Sequence, residues 1–329
     1  MGSGTDRSRF CRRFATKASC PARSAATYAR AGPTPRAWNT PRVPDTTLPS
    51  EPAPISAAER DLLLRAVREA ARARIMPRFR ALDASEVSTK SGPQDLVTFA
   101  DIEAEADIAA AVRLGWPEAA VSGEETVAAD AGQRALMGTA DPCVVIDPVD
   151  GTWNFAKGLA VFGVLLAVLR AGRPAWGLLY DPVMDDWIEA APGTPARFVT
   201  ARGLSRPLAT SPEARDGHIT GYVTLGLFPR DERERLASSF PGYARVTSLR
   251  CACHESRMVA QGHVEFAISG PTPHPWDHAA GVLAVEAAGG VARFLDGAPY
   301  DAARVHGVIL AAGSEALWDR LARRYADLT

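Results

Sequence analysis

The hydrophobic positions of the chain begin to repeat with a helical period at residue 56. Ser56-Ala57-Ala58-Glu59 has the form of a capping box, in which a serine and a glutamate satisfy the first N–H groups of a helix. The apolar residues that share one face of this helix are Leu63, Ala66, Val67 and Ala70. We predict a helix from Ser56 to about Pro77.

A second helix is predicted from about Asp101 to Leu114. Its apolar positions at helical spacing are Ile102, Ala106 and Ala109, and we expect them on the buried side. Asp101 falls in the first turn, where the helix dipole favours a negative charge.

Strands are predicted where short runs of apolar and β-branched residues occur. Cys143 to Ile146 is such a run, and Val161 to Leu169 and Trp176 to Tyr180 are two more. The last two flank Ala171-Gly172-Arg173-Pro174, which is typical of a hairpin turn. Helices and antiparallel strands together predict an α+β unit over residues 51–192.

Beyond about Pro192 the pattern changes to alternating strands and helices, which predicts a second, α/β unit over residues 193–329. The predicted strands lie near residues 218–224, 264–268 and 308–311. The predicted helices lie near residues 255–261, 277–288 and 314–326.

Residues 1–50 differ from the rest of the chain in composition. They hold nine Lys or Arg against two acids and few large aliphatic residues, so we expect a disordered basic extension. An organelle transit peptide and an over-extended translation start both fit this composition. A cytoplasmic protein is expected, with organelle targeting through this Arg- and Ser-rich segment as the alternative.

Length and charge narrow the class of protein. The chain has 329 residues, of which 47% are hydrophobic, so it can bury a sizeable core. Its net charge is −1, and because residues 1–50 carry +7, the remainder carries −8. This balance does not favour a nucleic-acid partner, and no apolar run is long enough to suggest a membrane span. Five cysteines without framework spacing favour a reducing compartment.

The most informative segment follows the predicted strand at Cys143–Ile146. There Asp147-Pro148-Val149-Asp150-Gly151-Thr152 places two carboxylates in a turn. Carboxylates with a substrate phosphate are the usual ligands of Mg²⁺. The N–H groups of Gly151 and Thr152 follow at once and can bind a phosphate oxygen. Taken alone, the segment also fits an ordinary turn in which Asp accepts backbone hydrogen bonds.

Two further motifs give the segment a context. Ser122-Gly123-Glu124-Glu125 precedes it, and Pro275-Trp276-Asp277-His278-Ala279-Ala280-Gly281 follows far downstream. In this order the three motifs resemble those of the inositol monophosphatase family, the Mg²⁺-dependent and lithium-sensitive phosphatases. The resemblance runs from about Ser56 to the C-terminus, with weaker matches around Lys90 and Asp101.

The resemblance implies a fold and a set of metal ligands. The fold is a layered α-β-α-β-α sandwich of the inositol monophosphatase and fructose-1,6-bisphosphatase type. The implied partners of the subunit are two to three Mg²⁺ ions, a small phosphorylated substrate and a second subunit in a homodimer. The implied metal ligands are Glu124, Asp147, the carbonyl of Val149, Asp150 and Asp277.

The resemblance also implies roles in catalysis. Glu124 acts in catalysis through the metal ion that it is implied to bind. Asp101 and Thr152 orient the attacking water. Elementary electrostatics agrees with a metal site, because carboxylates about 5 Å apart repel one another by about 3 kcal/mol per pair at an effective dielectric constant near 20. Such a cluster requires cations. Gly151 and Thr152 are the implied phosphate-binding residues.

The implied reaction is Mg²⁺-dependent hydrolysis of a phosphate monoester by metal-activated water, but the alcohol stays open. Trp153 stands where the family usually has Thr, and no acidic residue lies between Phe266 and Trp276 to accept bonds from inositol hydroxyls. Histidinol phosphate, a sugar bisphosphate and an adenosine 3′-phosphate are alternatives, as is a catalytically silent, ligand-binding regulatory relative. Candidate substrate-binding residues are Lys90, Trp153, His254, Ser269 and His274.

Overall fold

The computed structural model of the chain describes residues 51–92, 94–211 and 218–328. The predicted extension over residues 1–50 lies outside these ranges. The helices are α1 (Ala57–Ala70), α2 (Phe99–Gly115), α3 (Glu124–Ala129), α4 (Leu136–Thr139), α5 (Thr152–Ala156), α6 (Arg230–Ser239), α7 (Ala252–Ala260), α8 (Pro275–Ala287) and α9 (Glu315–Arg324).

The strands form one hairpin and two larger sheets. The strands are β1 (Val87–Gly92), β2 (Asp95–Thr98), β3 (Ala120–Gly123), β4 (Cys143–Asp150), β5 (Gly163–Arg170), β6 (Arg173–Asp181), β7 (Asp186–Ala191), β8 (Thr194–Thr200), β9 (Ser205–Pro207), β10 (Thr220–Val223), β11 (Arg245–Thr247), β12 (Phe266–Ile268), β13 (Val291–Phe294) and β14 (Ile309–Ala312). The hairpin pairs β1 with β2. Strands β3 to β9 form a seven-stranded sheet in chain order, and the five-stranded sheet has the order β11-β10-β12-β14-β13.

Helices cover both sheets and separate them. Helices α1 and α2 pack on one face of the seven-stranded sheet, and α7 and α8 pack on its other face. The far side of α7 and α8 meets the five-stranded sheet, whose outer face is covered by α6 and α9. The order of layers is therefore α-β-α-β-α, which confirms the predicted layered sandwich.

The central strands are apolar throughout because both of their faces are buried. In β4, Val144 and Ile146 join the core under α1 and α2, while Cys143 and Val145 join the core under α8. The predicted strands and hairpin are confirmed. At the hairpin, Ala171 and Gly172 have φ values of 47° and 81°, the left-handed conformation that a two-residue turn between twisted strands requires.

The first predicted helix is confirmed together with its cap. The backbone N–H of Glu59 donates to the Ser56 hydroxyl at 3.2 Å, and the predicted apolar face is buried. The helical path continues past α1 as a π-turn and a 3₁₀ turn that ends at Arg78, close to the expected end at Pro77.

The second helix is confirmed, but its predicted buried side is only partly right: Ala109 is buried, and the other two residues are not. Ile102 is 48% exposed and Ala106 is exposed, whereas the buried face of α2 includes Asp101 and Glu105. Both carboxylates accept hydrogen bonds from neighbouring segments. A buried carboxylate that is hydrogen-bonded escapes most of the cost of burial, so polar positions can define the inner face of a helix.

In the C-terminal half, each predicted strand overlaps an observed one (β10, β12 and β14), and each predicted helix overlaps α7, α8 or α9. The seven-stranded sheet continues through β8 and β9, beyond residue 192. The division into units at that residue stays a prediction. Among the described helices, none has the length and apolar character needed to cross a bilayer.

Candidate metal centre and active site

The strand β4 delivers both carboxylates of the central motif through a bulge. Asp147 pairs with Leu165, and Asp150 pairs with Gly163. Between these two pairs the chain advances three residues along β4 but only two along β5, so β4 carries one extra residue. In a regular strand, side chains three residues apart point to opposite faces, and one extra residue reverses this. Asp147 and Asp150 consequently face the same side, toward α8.

Asp277 completes a cluster of three aspartates. It lies in the first turn of α8, which begins at Pro275, so the predicted position at a helix N-terminus is confirmed. One carboxylate oxygen from each of Asp147, Asp150 and Asp277 lies within 4.8 Å of the others. The positive end of the helix dipole favours the negative charge there.

The cluster is electrostatically strained as long as it lacks a cation. At an effective dielectric constant near 20, charges at this separation repel by about 3 kcal/mol per pair. Burial raises the pKa of Asp147 well above its usual value, and Glu124, Asp150 and Asp277 raise it further. Burial likewise raises the pKa of Asp277, helped by Glu124 and Asp150. The group therefore binds either protons or a metal ion.

Asp150 also has a structural partner. Its Oδ2 accepts a hydrogen bond from the backbone N–H of Cys253 and one from the Cys251 thiol, at 3.1 Å for the latter. These residues start α7, so one oxygen of Asp150 caps that helix. Burial raises the pKa of Asp150, and the bond from Cys253 opposes this. This role of the two cysteines could not be predicted from the motifs.

Glu124 and Glu125 begin α3, and a residue that the sequence interpretation missed holds this helix in place. The carboxylate of Glu105 accepts the backbone N–H groups of Glu125 and Thr126, each at 2.8 Å. A Cβ atom on Gly123 would lie 2.4 Å from Glu105 Oε2 and 2.8 Å from the backbone carbonyl oxygen of Ile146, so only glycine fits at this position. The available signal was the spacing of Glu105, four residues after Asp101 and on the same helical face.

Lys90 binds the glutamate pair. Its Nζ lies 2.6 Å from Glu124 Oε1 and 2.7 Å from Glu125 Oε1. Burial lowers the pKa of Lys90, but the two carboxylates outweigh this and raise it above its usual value. The lysine thus sits beside a predicted metal ligand, on strand β1 of the hairpin.

Thr152 and Asp101, to which the resemblance assigns the orientation of the attacking water, form a hydrogen-bonded pair. The Thr152 hydroxyl lies 3.1 Å from Asp101 Oδ1 and 3.0 Å from the carbonyl oxygen of Val149. It has one proton and therefore donates to one of these acceptors at a time. Asp101 Oδ2 accepts the backbone N–H of Thr98 at 2.8 Å, which caps α2. Burial raises the pKa of Asp101 to about 7.

The candidate substrate residues lie around this centre, most with partners of their own. Trp153 is half-buried on α5, with the Arg250 guanidinium 4.1 Å from its ring centroid. His254 Nε2 lies 3.0 Å from the carbonyl oxygen of Phe162. Ser269 Oγ accepts the N–H of Ile309 at 2.8 Å.

The fifth candidate, His274, stacks on Trp276 with ring centroids 4.6 Å apart. Burial lowers its pKa. Whether these side chains contact a substrate stays a prediction.

The donors present fit a hard divalent cation. The three aspartates offer only oxygen ligands, and the nearby cationic group of Lys90 is bound to Glu124 and Glu125. Hard cations such as Mg²⁺ prefer oxygen ligands. The three cysteines of the described chain are buried free thiols, two of them next to Asp150.

Comparison with known proteins places the chain among phosphatases. The bifunctional phosphatase IMPL2 of Arabidopsis thaliana is 31% identical over 195 residues, which cover 59% of this chain and 53% of that protein. The match thus spans about half the length of the Arabidopsis relative. The Nus factor SuhB of Escherichia coli is 34% identical over 243 residues, which cover 70% of this chain and 83% of SuhB.

A solved structure shares the fold. The Thermotoga maritima IMPase superimposes with a TM-score of 0.67 at 24% identity, covering 82% of this chain and 97% of that one. The profile of the inositol monophosphatase family matches residues 59–328. The predicted family, fold and enzyme class are confirmed: the chain belongs to the inositol monophosphatase family, a family of phosphoric monoester hydrolases.

Proposed function

We propose that this chain hydrolyses a small phosphate monoester with the help of Mg²⁺. The observation that carries the proposal is the cluster of Asp147, Asp150 and Asp277, whose oxygens lie within 4.8 Å of one another beside the Thr152–Asp101 pair. A cluster of acids and a hydrogen-bonded hydroxyl at one place offer both a metal site and a way to handle a proton.

The residues proposed to hold the metal are Glu124, Asp147, Asp150, Asp277 and the carbonyl of Val149. Mg²⁺ bound there would lower the pKa of water and offset negative charge on the phosphate. The carboxylates lose their mutual repulsion when it binds. The family resemblance adds two to three ions per subunit, lithium inhibition and a homodimer to the proposal. A cytoplasmic location, with organelle targeting as the alternative, is proposed from the composition of the chain.

Thr152 and Asp101 act on the proton of the attacking water in this proposal. Thr152 Oγ accepts a hydrogen bond from the water while it donates its own proton to Asp101 Oδ1. The raised pKa of Asp101, about 7, suits a group that takes up a proton near neutral pH. The two bonds from Thr98 hold the carboxylate in place throughout.

The phosphate is proposed to bind at the start of α5. The first N–H groups of a helix have no partner within it, so those of Gly151 and Thr152 can donate to phosphoryl oxygens. Gly151 has φ of 85°, and a Cβ there would lie 3.0 Å from the carbonyl oxygen of Val161. A side chain at this position would disturb the turn that presents both groups.

Inositol phosphate is the first alcohol to test, and histidinol phosphate, a sugar bisphosphate and an adenosine 3′-phosphate are the alternatives. One relative is named a bifunctional phosphatase and one solved structure an IMPase. Another relative bears the name of a Nus factor, which keeps a regulatory, catalytically silent protein as the second candidate.

The test is phosphate release by the full chain with and without Mg²⁺ from inositol 1-phosphate, histidinol phosphate, fructose 1,6-bisphosphate and adenosine 3′,5′-bisphosphate. We expect Mg²⁺-dependent release from at least one, and a loss of about a thousandfold or more in Asp147→Asn. Asp185→Asn is the matched control, since that aspartate is bound to arginines away from the cluster. Mg²⁺ binding without release from any substrate would favour the regulatory protein.

A further inference from the structure

The segment before α7 has an unusual backbone at Arg250. Its φ is 53°, in the left-handed region that non-glycine residues seldom adopt. Strained conformations of this kind persist only where the surroundings hold them, and they cluster at functional sites. The surroundings of Arg250 therefore hold it in this conformation.

Several hydrogen bonds fix this segment. Asn154 Nδ2 donates to the carbonyl oxygen of Leu249 at 2.8 Å, and the N–H of Arg250 donates to Ser248 Oγ at 3.0 Å. The buried carboxylate of Glu255 accepts the N–H of Leu249 at 2.7 Å. These bonds involve both α5 and α7. They fix the backbone from which the Arg250 side chain projects.

The side chain is held as well. The guanidinium lies 4.1 Å from the ring centroid of Trp153, and its Nη1 donates to Gln94 Oε1 at 3.0 Å. None of the ion pairs found in the described ranges of the chain includes Arg250. Burial lowers its pKa, and no acidic group among the described residues offsets the effect. An oriented cation with spare N–H donors is thus left at the protein surface.

The backbone that carries this cation adjoins the candidate metal centre. The next residue, Cys251, donates its thiol proton to Asp150, and Trp153 follows Asp150 by three residues. A Cβ on Gly151 would lie 3.3 Å from the carbonyl oxygen of Arg250. The acidic centre and the unpaired guanidinium therefore belong to neighbouring parts of one site.

We propose that Arg250, held over the ring of Trp153, binds a second anionic group of the substrate. The preferred substrate class is then a phosphate monoester that carries a further phosphate or carboxylate. Guanidinium is suited to this because its planar fork matches both groups with two hydrogen bonds. The subsite rests on the proposed function, in which the scissile phosphate occupies the metal centre and the start of α5.

The test compares fructose 1,6-bisphosphate with fructose 1-phosphate as substrates of the full chain. Arg250→Gln removes the positive charge and keeps most of the side-chain length. Arg250→Lys keeps a positive charge but lacks the planar guanidinium group. The matched control is Arg206→Gln. Arg206 also lies over an aromatic ring, 5.0 Å from the centroid of Phe198, and also bonds a glutamine side chain, at 2.9 Å from Gln261 Oε1.

We expect the kcat/KM ratio of bisphosphate to monophosphate to fall at least about tenfold in Arg250→Gln, through KM, as for the loss of a charge-assisted hydrogen bond. Arg250→Lys should recover part of the ratio, and Arg206→Gln should leave it unchanged. An unchanged ratio, or an equal loss on both substrates, overturns the subsite.

A second readout separates the subsite from the proposed activity. If the wild-type chain hydrolyses neither sugar phosphate, the binding of fructose 1,6-bisphosphate in the presence of Mg²⁺ is measured by calorimetry. Binding that is about tenfold weaker in Arg250→Gln retains the subsite while the hydrolase proposal fails for these substrates. Equal affinity of both proteins, or no binding to either, overturns it.

Discussion

Two sets of aspartates at the seven-stranded sheet differ in where their counter-charge comes from. Asp185 accepts hydrogen bonds from Arg68 at 2.8 and 2.6 Å, and from Arg72 and Tyr180 as well. The arginine next to it lowers its pKa below the usual range. The cluster at Asp147 has raised pKa values instead, caused first by burial.

The difference separates structural acids from functional ones. Where a carboxylate holds the fold together, the chain supplies its own guanidinium. At the cluster of Asp147, Asp150 and Asp277, the described chain supplies none, and the nearest lysine is bound to the glutamates of α3. Buried charges without partners are costly, so these three acids could hold a cation from solution, as proposed above.

The largest expected effect comes from breaking the cluster. Asp277→Asn should lower phosphate release by about a thousandfold or more, because it removes a proposed metal ligand. It should also raise the melting temperature of the metal-free protein near pH 8, because one repelling charge is gone. Phosphate assays and thermal melts with a chelator measure both effects. Unchanged turnover would remove Asp277 from the site.

Breaking a structural pair should cost stability instead. Arg257 is 5% exposed and donates to Asp186 and, at 2.7 Å, to the carbonyl oxygen of Leu179. Arg257→Met leaves Asp186 without its partner, and we expect unfolding in urea to show a loss of about 3 kcal/mol. Activity per folded molecule should stay within about threefold at low temperature. A large loss of activity with intact stability would contradict the division into two classes.

The smallest effect is a pH dependence of opposite sign for the two classes. Folding raises the pKa of Asp101, beside the cluster, from about 4 to about 7. The folded state therefore binds the proton more tightly, and this stabilisation is complete below about pH 4 and is lost as pH rises through about 7. The lowered pKa of Asp185 acts the other way: its stabilisation is present above about pH 4 and is lost as pH falls further.

The melting temperature of the metal-free protein should accordingly fall by several degrees between about pH 5.5 and about pH 8. Saturating Mg²⁺ should flatten this dependence, because the cation replaces the protons. Thermal melts in the presence of a chelator and in the presence of Mg²⁺, recorded across this pH range, measure both dependences. A melting temperature that rises with pH in the presence of the chelator would contradict this prediction. It would show that ionisation of the cluster does not destabilise the folded protein.

The sequence predicted much of this molecule because its signals were local. The cap at Ser56, the hairpin at Ala171-Gly172 and the apolar strand before Asp147 each depend on neighbouring residues. The contacts between distant segments left no such signal. Glu105 lies 20 residues from the N–H of Glu125 that it binds, and Asp150 lies 103 residues from Cys253.

The error on α2 has the same origin. Ile102 looked buried because apolar residues usually face the core, but the inner face of that helix is needed by Asp101 and Glu105. Where a helix places polar residues on its inner face, as α2 does, the spacing of its apolar residues no longer identifies the buried side. The stack of Arg250 on Trp153 was likewise invisible, since it joins α5 to the start of α7.

The bulge in β4 makes the number of residues in this strand as important as their identity. Removing one residue between Asp147 and Asp150 would restore a regular strand and turn one of the two carboxylates toward α1 and α2. All three aspartates would still be encoded, yet their side chains would no longer meet. Insertions and deletions in this short stretch should therefore be tolerated far less than substitutions of Pro148, and a library that varies length here would reveal it.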